Sequence, residues 1–107
     1  MRRSLLLLPL AALLQAMPLA AAAPRTHVVV IDAMKFGPVP ATLRAGDTIV
    51  WDNRDVLKHT ATARDGSFDL RLQPGKKGRT VLRKAGNLAI WCIYHPMMRT
   101  TLRVAAS

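Results

Sequence analysis

Short runs of β-branched residues, with no sustained helical period, organise the hydrophobic pattern of this chain. Four of them read as strands: THVVVID at residues 26–32, TIVWDN at 48–53, HTATA at 59–63 and TTLRV at 100–104. Successive side chains of a strand point to opposite faces, so Val28 and Val30 oppose Val29 and Ile31. By the same rule Ile49, Trp51 and Asn53 share a face, and so do Leu88, Ile90 and Cys92. Turn residues divide the pattern at short intervals: FGPVP at 36–40, AGD at 45–47, RDG at 64–66, QPGKKG at 73–78 and KAGN at 84–87. Such spacing predicts an all-β domain, a sandwich or a barrel, with no internal repeat and no linker.

The first residues follow another rule. Arg2 and Arg3 precede the apolar run LLLLPLAALL, which leads into the small-residue stretch AAAAP, the layout of a secretory signal peptide. Leu5 to Leu14 is short for a membrane span, and Pro9, Gln15 and Pro18 interrupt the wider segment. Residues 1–23 are therefore expected to be a cleaved leader and residues 24–107 a single small domain of 84 residues, exported to the periplasm. The formal net charge of +10 counts Arg2 and Arg3, so the domain carries +8. Its cations are spread along the sequence, and no recognition helix or interleaved aromatic and basic motif is present, so nucleic acid is not the expected partner. A positive field of this kind steers encounter with an acidic protein partner, with membrane contact at most peripheral.

Cysteine use sharpens the picture. An exported domain with one cysteine has no internal disulfide to make, so Cys92 is an intermolecular bridge, an inert buried thiol or a ligand. Its neighbours favour the ligand. In WCIYHPMM, Cys92, His95 and Met98 form C-x2-H-x2-M, and a second histidine, His59, lies upstream. Thiolate and thioether are soft donors that favour copper, and two histidines with one cysteine and a weak axial methionine make a blue-copper electron-transfer set. Zinc gains little from methionine. Met97 offers an alternative axial thioether. Thr60 and Asn53 flank or share the ligand strands and are candidates to hydrogen-bond across to the cysteine loop, which Pro96 stiffens without adding an N–H. His27 reads as an ordinary polar residue, and Met34 and Phe36 as packing residues.

The blocks GDTIVWDNRDVLKHTAT, GSFDLRLQPG and WCIYHPMMRTTLRV, in this order, resemble the cupredoxin family, its amicyanin- and plastocyanin-like members in particular. The resemblance implies a Greek-key β-sandwich with one type 1 copper ion at one end, His59, Cys92 and His95 as equatorial ligands and Met98 as the axial one. Departures are visible: Leu88 and Ile90 stand where relatives often carry aromatics, and Arg99 and Thr100 follow the methionine where many have glycine. The implied function is a monomeric carrier of single electrons between transient redox partners. His95 would be the exit, and Pro96, Met97 and Pro38 a small apolar docking patch. A protein that binds and delivers copper without carrying electrons is the alternative. An enzyme is not expected, because no open-coordination histidine site is visible and Cys92 with His95 lacks a third orienting residue.

Overall fold

The computed structural model describes residues 23–107. Apart from Ala23, the expected leader lies outside them. Among these residues nine strands form two sheets. In the first, β2 (Lys35–Phe36), β1 (Thr26–Asp32), β4 (Thr48–Asn53) and β7 (Lys77–Val81) lie side by side in that order. In the second the order is β3 (Leu43–Arg44), β9 (Arg99–Ala105), β8 (Gly86–Trp91), β5 (His59–Ala63) and β6 (Asp69–Leu72). The chain repeatedly crosses from one sheet to the other, giving the all-β Greek-key sandwich expected from the sequence. Among the described residues no helix is long and apolar enough to cross a membrane.

Alternation decides what each strand buries. Val29 and Ile31 of β1 are fully buried while Val28 is 54% exposed, and β4 turns Ile49 and Trp51 inward beside them. These meet Ile90, Leu102, Val104 and Ala61 from the other sheet in one core. Trp51 fills its centre, with Phe36 edge-on at 5.9 Å and Phe68 tilted at 6.2 Å. The indole brings a polar N–H inside, and it donates to Thr80 Oγ1 at 2.9 Å. A buried Trp needs such a partner, because an unpaired N–H there costs about 1–3 kcal/mol.

Two local features depart from the sequence reading. β7 begins at Lys77, inside the stretch read as one long turn, so the turn itself narrows to Pro74 and Gly75. The β1–β2 hairpin turns at Ala33 and Met34, both at positive φ (49° and 62°), the two-residue form whose handedness matches strand twist. Neither residue favours that conformation. The turn is held by Asp32 Oδ1, which accepts from Ala33 N–H at 2.9 Å, and by Asp55 Oδ2, which accepts from Met34 N–H at 3.0 Å.

Strand order places the chemistry. β5 and β8 are antiparallel neighbours with Thr62 opposite Trp91 and Ala63 opposite Ile90, so the first residues of β5 run on past the end of β8, beside the residues that follow Trp91. His59 opens β5, and Cys92 follows directly after β8. The β8–β9 connection, residues 92–98, therefore folds over the same end of the sandwich as His59.

Candidate metal centre

His59, Cys92 and His95 converge, with one donor atom from each lying within 4.8 Å of the others. Cys92 Sγ is 3.8 Å from His59 Nδ1 and 3.6 Å from His95 Nδ1, and the imidazole rings are 5.0 Å apart. Metal–sulfur and metal–nitrogen bonds of about 2.3 and 2.0 Å put S and N about 3.5 Å apart at a tetrahedral angle and about 3.7 Å apart at a trigonal one. The observed spacings straddle the trigonal value. One cysteine sulfur and two imidazole nitrogens at these spacings fit a single type 1 copper ion, and copper is the metal that this donor set selects. Cys92 and His59 are fully buried, whereas His95 is half-buried.

The loop that carries Cys92 and His95 is closed by its own backbone. Cys92 N–H donates to Met98 O at 3.1 Å, extending the β8–β9 ladder one step past Trp91 and Arg99. Met98 N–H returns to His95 O at 2.8 Å and His95 N–H to Cys92 O at 3.3 Å. Arg99, where relatives were expected to carry glycine, donates from Nε to Pro96 O at 3.0 Å and so caps the exit of the loop. Thr60 ties the loop to β5 twice: its N–H points at Cys92 Sγ at 3.3 Å, and its Oγ1 accepts from Ile93 N–H at 2.8 Å. An N–H aimed at the sulfur from outside the donor set fixes its orientation.

Asn53, read from sequence as a second tether for the cysteine loop, holds a different segment. Its Nδ2 donates to Leu57 O at 2.9 Å and Leu72 O at 3.0 Å, and its Oδ1 accepts from Asp55 N–H at 3.0 Å. It shapes residues 54–58, the connection that delivers His59. The reason is geometric: Asn53 ends a strand of the opposite sheet, out of line with β8.

Asp55 was not singled out from sequence. Its Oδ2 lies 2.8 Å from His59 Nε2. A carboxylate only accepts, so Nε2 carries the imidazole proton and Nδ1 keeps its lone pair facing Cys92. The hydrogen bond from His59 and those from the N–H groups of Met34 and Val56 hold the Asp55 carboxyl at a pKa of about 2. Only its position four residues before His59 hinted at this, and in a loop that spacing has no fixed meaning.

The two methionines part sharply: Met98 is 4% exposed beneath the loop and Met97 is 90% exposed. Pro96 is exposed beside Met97 in the metal loop, and Val56 (84% exposed) and Leu57 are exposed in the connection that delivers His59. Cations border this end, where Lys58 Nζ sits 4.7 Å over the Tyr94 ring and Arg71 Nη1 donates to Tyr94 Oη at 3.2 Å. Trp91, next to Cys92, lies under the Arg64 guanidinium at 4.0 Å. His27, away from the site, pairs through Nε2 with Asp47 Oδ2 at 3.0 Å.

No protein-family model and no curated protein sequence matches the chain. Solved structures do. A mutant amicyanin in its Cu(I) form is 24% identical over 77% of this chain and 82% of its own, with a TM-score of 0.61. A novel purple cupredoxin from Nitrosopumilus maritimus is 21% identical over 76% of this chain and 99% of its own, with a TM-score of 0.63. A second amicyanin mutant, also in the Cu(I) form, reaches 26% identity over 82% of this chain and 88% of its own at 0.62. The chain has the cupredoxin fold.

Proposed function

We propose that this chain is an exported type 1 copper protein that carries single electrons between redox partners, with His59, Cys92 and His95 as equatorial ligands and Met98 as the axial one. The observation that carries the reading is the convergence of two imidazole nitrogens on one buried cysteine sulfur, at 3.8 and 3.6 Å from it, at one end of the sandwich. Copper, when bound, supplies a one-electron couple between Cu(I) and Cu(II).

The residues supply the rest. Asp55 fixes the tautomer of His59, Thr60 steadies the Cys92 sulfur, and three backbone bonds within residues 92–98 keep the donors in place in both oxidation states. Met98 presents a weak thioether from a buried position, while Met97 stays outside. His95 is the half-buried ligand and so the exit for the electron, and the exposed Pro96 and Met97 of its loop, with Val56 and Leu57 of the connection before His59, would supply a small apolar face suited to a brief redox encounter. Lys58 and Arg71 beside that face, with the domain's +8, favour an acidic docking partner. The protein works as a monomer in the periplasm after loss of residues 1–23. A site closed by so many internal bonds favours retaining its ion over delivering it, and the proposed set of four protein ligands would leave none of the open position that a catalytic metal needs.

The test is the visible spectrum of residues 24–107 titrated with Cu(II). An intense thiolate-to-copper charge-transfer band, bleached reversibly by reductant and abolished in Cys92→Ser, is the expected result. A wild-type protein that stays colourless overturns the reading.

A further inference from the structure

A line of polar side chains runs from the metal loop to the surface across β5 and β6. Ile93 N–H meets Thr60 Oγ1 at 2.8 Å, Thr60 Oγ1 meets Thr62 Oγ1 at 2.9 Å, and Thr62 Oγ1 meets Asp69 Oδ1 at 2.9 Å. Register explains the alignment, since Thr62 pairs with Asp69 and Thr60 with Arg71, and alternate residues share a face. Arg71 then grips Asp69 through Nε and Nη2, at 3.1 and 2.8 Å, and donates from Nη1 to Tyr94 Oη at 3.2 Å. The circuit leaves the loop at Ile93 and returns to it at Tyr94.

Proton counting fixes its direction. Three contacts link Ile93, Thr60, Thr62 and Asp69, and three protons serve them: one amide N–H and two hydroxyls. Asp69 has none to give, because the hydrogen bonds from Arg71 and Thr62 hold its carboxyl below the ordinary carboxylate range. Thr62 must therefore donate to Asp69, Thr60 to Thr62, and Ile93 to Thr60. All the dipoles point one way, the arrangement in which each bond strengthens the next. With its proton committed outward, the buried Thr60 hydroxyl faces the loop only as an acceptor.

We propose that Thr62, Asp69 and Arg71 are positioning residues for the metal loop, a polarised brace that holds Thr60 as the acceptor for Ile93 N–H and so keeps Cys92 and His95 in place. The inference extends the copper reading, because it concerns the loop that carries two of the proposed ligands. None of the three touches a proposed ligand, and Asp69 and Arg71 lie at the surface with 42% and 51% of their side chains exposed.

Amide hydrogen exchange on the full folded chain without metal tests the brace independently of copper. Thr62→Val and Asp69→Ala should each speed exchange at Ile93 about tenfold, leave the core amides of Val29 and Trp51 unchanged, and see Thr62→Ser restore the wild-type rate. Unchanged exchange at Ile93, or equal acceleration at Val29 and Trp51, overturns the brace. With Cu(II) bound, the charge-transfer band should shift in Thr62→Val and return in Thr62→Ser, and an unmoved band overturns the role at the metal. A wild-type chain without the band overturns the copper reading, while the Ile93 result still decides the brace.

Discussion

Adjacent methionines 97 and 98 show how much one residue's placement settles. One is almost wholly in solvent and the other almost wholly out of it, so only Met98 offers its sulfur to the interior. Met98→Leu keeps the volume and is expected to cost under about 1.5 kcal/mol in stability. It should raise the reduction potential, since a lost donor weakens the more highly charged ion more. Met97→Leu should leave the potential where it was, and voltammetry of both variants checks the pair; equal shifts would contradict the assignment. Asp47 carries a second prediction at this scale. It is 3% exposed and accepts from Arg25 N–H, His27 Nε2 and Arg44 N–H, which together hold its pKa at about 2 against an ordinary 3.8. A folded-state pKa below the unfolded one stabilises the fold at neutral pH, here by about 2 kcal/mol, and that contribution fades as pH falls from about 4 toward 2. Asp47→Asn should therefore be less stable at pH 7 by about 1–2 kcal/mol and converge on wild type near pH 2. Denaturant melts across that range measure the gap, and a gap that persists at pH 2 would refute the linkage.

At the level of elements, two connections at one end of the sandwich make the site, and Asn53 ties the first of them, residues 54–58, to the core. Its amide answers the carbonyls of Leu57 and Leu72 from a fully buried position. Asn53→Ala strands those carbonyls and frees residues 54–58, so a loss of about 1–3 kcal/mol is expected. His59 should lose order with them, seen as a weaker and broader charge-transfer band at equal copper. An unaltered band and melting midpoint would show that the segment holds itself. How far these elements were legible in the sequence follows from how local their signals are. TIVWDN and HTATA announce their strands through β-branched residues, and C-x2-H-x2-M announces a donor set, because both are short-range patterns. KGRTV, the β7 strand, was hidden in a turn-like stretch rich in Gly and Lys. Gly78 leaves room there for Leu70 of the facing edge strand, whose Cδ1 would lie 2.9 Å from an added Cβ and would have to shift, a contact no local pattern encodes. The Ala33–Met34 turn escaped notice for the same reason, its unfavourable φ being held by Asp55 more than twenty residues away. Thr60 could be suspected from its place beside His59, but the line through Thr62 to Asp69 and Arg71 depends on β5–β6 register and could not.

Over the whole molecule, charge is the property most open to test. Opposite charge raises association from the ~10⁵–10⁶ M⁻¹s⁻¹ of neutral pairs toward ~10⁸–10⁹ M⁻¹s⁻¹ at low salt. With +8 on the domain, association with an acidic redox partner should slow steeply as ionic strength rises and the screening length shrinks from about 30 Å at 0.01 M to about 10 Å at 0.1 M. Net charge alone would make every surface cation equivalent, whereas a docking face would not. Lys58 stands beside His59 and over Tyr94, at the metal end. Lys84 precedes β8, whose six residues run from Gly86 to the metal end at Trp91, about 17 Å away at strand rise. Reversing either charge removes the same amount from the total. Stopped-flow electron transfer at low salt should find Lys58→Glu slower than wild type by about tenfold and Lys84→Glu by only a few-fold, with the gap closing near 1 M salt, where screening falls to about 3 Å. If both variants slow alike at every salt concentration, the positive field steers without a preferred face and His95 is not the approach; if Lys84→Glu slows more, the partner docks at the far end of the sandwich.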